Sequence, residues 1–221
     1  AARVLRPGGH LRVSELHRTP TPAHERGSLA DGLRYVWHRE DLKTVLAMLF
    51  LVATFGLNFP IFISTMAVSV FRVDANAYGL LSSMLAVGSL IGALLSARRA
   101  GPRMPLLIGG AAMFGVGCAV AAMMPSYVFF AAALVVIGIA SQTFMVGANS
   151  TVQIGSDPAL RGRVMAIYLA IALGSTPLGA PIVGWVADAF GPRWALAVAA
   201  AAGLAAALVG RRYVMRSLPV A

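Results

Sequence analysis

Acidic side chains are scarce in this sequence. Eight Asp and Glu stand against eighteen Lys and Arg, and charged residues of both signs make up only 12% of the chain. A soluble domain carries about 25%, and a core large enough to explain the shortfall does not fit into 221 residues. Cysteine is almost absent as well. The single Cys118 lies inside an apolar run, which excludes a disulfide framework and a thiolate metal site and leaves a buried, inert thiol. All four histidines (His10, His17, His24 and His38) precede the first long apolar run, so no Ser/His or His/Asp pair can assemble within such runs. His10, His17 and His24 recur every seven residues, but Pro20 and Pro22 forbid a continuous helix that would align them as metal ligands. Neither HExxH nor GxxxxGK(S/T) occurs, so zinc hydrolysis and ATP-driven pumping are not encoded. No metal or cofactor is expected, and an intramembrane enzyme lacks candidate catalytic groups.

What is present is apolar length. Hydrophobic residues make up 58% of the chain. They fall into six spans, Leu42–Phe71, Tyr78–Ala97, Met104–Met124, Tyr127–Asn149, Val164–Ala187 and Trp194–Gly210. Each is near the roughly 20 residues that a bilayer-crossing helix needs. The fold class is therefore all-α, a polytopic membrane bundle of six transmembrane helices. The first span is long enough to include a turn at the membrane edge.

Residues 1–27 are rich in Pro, Gly, Arg and His without a sustained period and read as a linker. Residues 28–41 follow with Ser28 and Asp31 as cap candidates. There Leu29, Leu33, Val36 and Trp37 form one apolar stripe, and Arg34, His38 and Arg39 fall away from it, as in an amphipathic helix lying on a membrane surface. Residues 42–210 form the bundle and 211–221 a basic tail. The chain has no initiator methionine and no apolar leader, and so reads as a fragment or a truncated frame.

The connectors alternate in charge. Sixteen of the eighteen Lys and Arg fall in the leader, the loops after spans two and four, and the tail; the other loops hold only Arg72 and Arg193. The positive-inside rule then places both termini in the cytoplasm of a cell (plasma or inner) membrane. An even number of spans requires the same. This distribution between apolar spans also argues against nucleic acid as the partner of the +10 net charge.

Polar groups inside the spans are few and uneven. Span one carries Thr54, Asn58, Ile61 and Thr65 at helical spacing, with Pro60 beside Asn58. Span four carries Gly138, Gln142, Met145 and Asn149, extending to Gln153. Span two carries Ser82, Ser89 and Ser96, with Gly88 and Gly92 spaced for close helix packing. Spans three and six have almost nothing polar. Polar side chains in hydrocarbon face a bundle interior or a wet cavity, or glue helices together. Thr54, Asn58, Thr65, Gln142, Met145 and Asn149 are thus candidates for a substrate cavity among spans one, two, four and five, with three and six toward lipid. Span five holds Gly174, Pro177, Gly179, Pro181 and Gly184, a pattern that breaks a helix in water but is tolerated in a bilayer.

Several stretches together resemble the major facilitator superfamily. They are GLRYVWHREDLKTVL at 32–46, FGLNFPIF at 55–62, YGLLSSMLAVGSLIGAL at 78–94, LRGRVMAIY at 160–168 and STPLGAPIVGWVADAFGPRWAL at 175–196. The likeness is to the C-terminal six-helix half of the branch that includes enterobactin-exporter and macrolide-efflux-like proteins, and it covers most of residues 28–210. The resemblance implies two inverted three-helix repeats, half of a twelve-helix fold, and alternating access around a site shared with the other half. It also implies a loop motif Gly-x-x-x-Asp-Arg-x-Gly-Arg that locks one conformation. Gly92 matches it and Arg98, Arg99, Gly101 and Arg103 supply a basic turn, but Ser96 replaces the acid. The glycine–proline pattern of span five resembles that of the superfamily's antiporters.

The functional expectation is an exporter of small amphipathic molecules, embedded in lipid and working with an N-terminal six-helix half or a second copy. The alternative is a non-transporting membrane scaffold or half-size partner protein. No Asp, Glu or His lies mid-span, so a proton-coupling group, where one is used, belongs to the other half.

Overall fold

The computed structural model describes residues 29–98, 101 and 103–217. The linker histidines, Ser28, Arg99 and the last four residues of the tail lie outside the described residues. Among the described residues the architecture is entirely helical, with six helices long and apolar enough to cross a membrane.

Helix α1 (Leu29–His38) is joined through Arg39, which has extended backbone (φ −109°, ψ 99°), to α2 (Glu40–Leu51). Asp31 sits in the first turn of α1 rather than capping it, and its carboxylate lies 3.9 Å from Arg163. The apolar stripe read from the sequence divides between two faces. Val36 is buried, and a β-carbon on Gly32 would lie 2.9 Å from that of Arg163, whereas Leu33 and Trp37 are exposed. Only one side of this helix docks on the bundle.

Span one runs from Glu40 to Phe71 without the turn expected at the membrane edge. Its 32 residues would make a straight α-helix about 48 Å long, against a hydrocarbon thickness of about 30 Å. Wider winding shortens the span only slightly, and its ends extend beyond the hydrocarbon. α2 passes into a π-helical turn at Val52–Gly56, then a break at Leu57–Asn58, then α3 (Phe59–Thr65) and a second π-helical turn at Met66–Phe71. The Leu57 amide bonds the Val52 carbonyl at 3.1 Å, one residue further back than in an α-helix. Pro60 falls in the first turn of α3, where its missing N–H costs nothing.

The remaining spans are α4 (Ala75–Ala97), α5 (Met104–Met123), α6 (Tyr127–Gly155), the pair α7 (Arg161–Gly174) and α8 (Thr176–Phe190), and α9 (Pro192–Ser217). Short connectors separate them. The Asp74 carboxylate caps α4 by accepting from the Ala77 amide at 3.0 Å, and Gly191 turns the chain between α8 and α9 at φ 99°.

Small residues, not polar ones, set the helix contacts. α4 lies against α6 through Gly88, Gly92 and Gly138; a β-carbon on Gly92 would fall 2.6 Å from the Ile139 carbonyl oxygen. α5 and α9 meet where a β-carbon on Gly203 would lie 2.8 Å from the Gly115 Cα. This corrects the reading of spans three and six as simply lipid-facing. Each keeps an exposed apolar side, but they bury the other against each other, and span six is among the most buried of the six. Phe62, Phe114, Phe130 and Phe144 fill the centre, all fully buried.

The ends of the bundle differ in charge. Arg39 holds one end together: it donates to Asp41 at 2.9 and 2.7 Å, to the Gly155 carbonyl at 3.2 Å and to the Tyr35 hydroxyl at 3.1 Å. The Tyr35 oxygen in turn accepts from the Asp157 amide at 3.2 Å. The hydrogen bond that Arg39 donates to Asp41, then the charge of that carboxylate, raises the Arg39 pKa further above its already high ordinary value, so this clasp stays charged. At the opposite end the Tyr127 hydroxyl donates to the Ala77 carbonyl at 2.9 Å and Arg193 to Met124 at 3.4 Å. Among the described basic residues only Arg72 and Arg193 lie at that second end.

Candidate functional site

The two interrupted spans touch at their interruptions. The π-helical turn of span one faces the start of α8, and Thr176 donates to the Ala53 carbonyl at 3.3 Å. Gly179 lies so close to the Thr54 carbonyl that a β-carbon there would collide with it. The same carbonyl accepts from the Asn58 Nδ2 at 2.8 Å. A π-helical turn displaces carbonyls from their usual i+4 partners, and here the side chains of Asn58 and Thr176 take up two of them. Asn58 and Thr54 are only 2% and 3% exposed, and the Thr54 hydroxyl is buried without a hydrogen-bond partner among the described residues.

Span five changes direction at Ser175. Its hydroxyl bonds back to the Ile171 carbonyl, and the Gly179 amide reaches the Ser175 carbonyl at 3.1 Å. Pro177 occupies the first turn of α8 and Pro181 lies within it. Lacking an N–H, each leaves the carbonyl four residues earlier without its helical donor. Of the three glycines in this pattern only Gly179 is required by close approach; a β-carbon on Gly174 or Gly184 would meet nothing within 4 Å.

A second feature lies between spans four and five. Gln142, Met145 and Asn149 line a cavity of about 240 Å³ together with Val146, Ser150 and Tyr168. The Tyr168 hydroxyl points to the Met145 carbonyl at 3.4 Å, and Gln153 donates to the Asn149 side chain at 2.5 Å. The wall thus offers an amide, a second amide, a phenol and a thioether, with no ionised group: it suits a ligand of mixed polarity. Three of the six cavity candidates are brought together here. Thr54 and Asn58 belong instead to the buried joint, and Thr65 bonds back to the Ile61 carbonyl at 2.7 Å within its own helix. The π-helical turn explains the separation, since one extra residue per turn throws Thr54 and Thr65 off a common stripe. Tyr168 was not among the sequence candidates. Its signal is depth: Asn149 and Tyr168 each lie about two turns from the basic end of neighbouring antiparallel spans.

The loop residues occupy the basic end. Gly92 packs on α6, Arg98 follows the last turn of α4, Gly101 has φ 95°, and Arg103 precedes α5 with its carbonyl accepting from Leu106 at 3.0 Å. Arg99 is outside the described residues. Where the acid would stand, the Ser96 hydroxyl is buried beside a small hole of about 70 Å³, without a hydrogen-bond partner among the described residues.

Six apolar helices with two broken spans meeting in mid-bundle define a polytopic membrane protein of transporter build. Residues 12–221 match the sequence profile of the Major Facilitator Superfamily, and the chain belongs to that family of membrane transporters. Among curated proteins it is similar to the multidrug efflux pump Tap of Mycolicibacterium fortuitum, with 30% identity over 168 residues. That alignment covers 74% of this chain, and the chain spans about 40% of the length of that relative.

Proposed function

We propose that this chain forms one six-helix half of an exporter of small amphipathic molecules, with Gln142, Met145, Asn149 and Tyr168 on the substrate path. The observation that carries this reading is the cavity of about 240 Å³, polar but uncharged, set beside a broken span. The name of the relative as a multidrug efflux pump supports the same substrate class. The opposing half, on the same polypeptide or as a second copy, closes the cavity and rocks against this one by alternating access. The joint of Thr54, Asn58, Thr176 and Gly179 acts as the pivot within this half, and the basic end faces the cytoplasm with both termini of the chain. Arg98, Arg99, Gly101 and Arg103 set topology and the loop turn rather than a carboxylate lock.

The test is efflux of a dye panel from cells carrying the intact protein with Gln142→Ala or Tyr168→Phe. Each removes about one hydrogen bond to a bound ligand, a two- to tenfold effect that should differ between dyes. Identical efflux of every dye by both variants refutes the cavity assignment.

A further inference from the structure

At the basic end, an open cleft of about 630 Å³ lies between α2 and α9, lined by Glu40, Thr44, Arg212, Tyr213, Arg216 and Ser217. The helices cross just inside it, where a β-carbon on Gly210 would lie 2.9 Å from the Met48 Sδ. Beyond that crossing α9 continues through Arg211–Ser217, so its last two turns stand over the first turn of α2.

The charges in this cleft are unbalanced. Arg212 and Arg216 are four residues apart and share a helix face, where like charges repel. Among the described residues neither guanidinium makes a hydrogen bond or an ion pair. Glu40 is on the wall, but its carboxylate is taken by Lys43 at 2.6 Å. The hydroxyls of Thr44 and Ser217 donate to the carbonyls of Glu40 and Val214 at 2.7 and 2.9 Å. Their lone pairs are then free to accept from a ligand. The cleft therefore presents two fork-shaped donors matched to a phosphate and hydroxyl acceptors matched to a polyol.

An apolar track leads away from it. Leu208 and Leu204 continue the line of Arg212 and Arg216 at intervals of four, and they are 56% and 39% exposed. A free phosphate has no use for that track, whereas an acyl chain does. On the neighbouring helix Trp37 is 68% exposed with the Lys43 ammonium 5.7 Å from its ring centre, an arrangement suited to the headgroup level.

We propose that the cleft between α2 and α9 binds an anionic phospholipid of the phosphatidylglycerol type. Its phosphate sits between Arg212 and Arg216, its glycerol headgroup on Thr44 and Ser217, and an acyl chain along Leu208 and Leu204. The experiment is native mass spectrometry of the intact protein in neutral detergent, titrated with phosphatidylglycerol or phosphatidylcholine. Three forms are compared: unaltered, Arg212→Gln with Arg216→Gln, and, to match net charge at the same end, Arg34→Gln with Arg161→Gln. Each guanidinium near an anionic headgroup is worth about fivefold, so the first pair should weaken phosphatidylglycerol binding roughly thirtyfold. The control pair should leave it near the unaltered value, and phosphatidylcholine, whose choline cation offsets the charge of its phosphate, should depend far less on the first pair. Equal phosphatidylglycerol affinity in all three forms overturns the proposal. So does displacement of the lipid by excess inorganic phosphate, which assigns the cleft to a soluble anion.

Discussion

Replacing Gly179 by alanine tests whether the two broken spans are joined as described. Alanine is favoured over glycine within a helix by about 1 kcal/mol. At Gly184, in the same helix, that gain meets no obstacle because the added carbon has open space, so Gly184→Ala should be neutral or slightly stabilising. At Gly179 the carbon meets the Thr54 carbonyl, which is backbone and has no rotamer to yield. Overpacking costs roughly 1–3 kcal/mol, and a backbone obstacle places this case at the upper end. Gly179→Ala should therefore lose about 2 kcal/mol net, about 3 kcal/mol below Gly184→Ala. For a chain of this size that gap is roughly 6–12 °C in melting temperature. The assay is built in: Cys118 is the chain's single thiol and is fully buried, so a thiol-reactive fluorophore reports unfolding on heating in detergent. If Gly179→Ala and Gly184→Ala melt together, the close approach of α8 to the π-helical turn is refuted.

Asn58→Ala removes the donor to the Thr54 carbonyl and leaves that group buried; a loss of about 1–3 kcal/mol is expected in the same melting assay, and none would deny the joint its polar pin. Arg39→Ala should release α1 from the end of α6. The site is partly exposed, so about 1 kcal/mol is at stake, read as roughly fivefold faster amide exchange across Leu29–His38 with α4 unchanged. Gly203→Val should separate α5 from α9 and lower the melting temperature more than Gly109→Val, whose added carbon meets nothing within 4 Å.

The six spans were legible because apolar length is a direct record of the solvent, and the family resemblance in 160–168 and 175–196 agrees with the profile match over 12–221. The interior of the bundle was not. Polarity placed it among spans one, two, four and five, but α5 and α9 also contribute to it through glycine and alanine, which look the same in sequence whether they face a helix or lipid. Asn58 and Pro60 marked where span one is irregular. They could not show a π-helical turn, because that winding is a choice of hydrogen-bond partner that no side chain announces. Tyr168 escaped because an aromatic residue in an apolar run reads as apolar until a neighbouring span sets its depth.

The wide turn at Val52–Gly56 has a mechanical meaning beyond its hydrogen bonds. It is slack, one residue wound into a helix that does not need it. Were that residue drawn out, everything from Pro60 to Phe71 would rotate by about 100° and advance about 1.5 Å like a screw. A different row of side chains would then face whatever lies alongside, with the connector after Phe71 following by the same small step and the start of the span left in place.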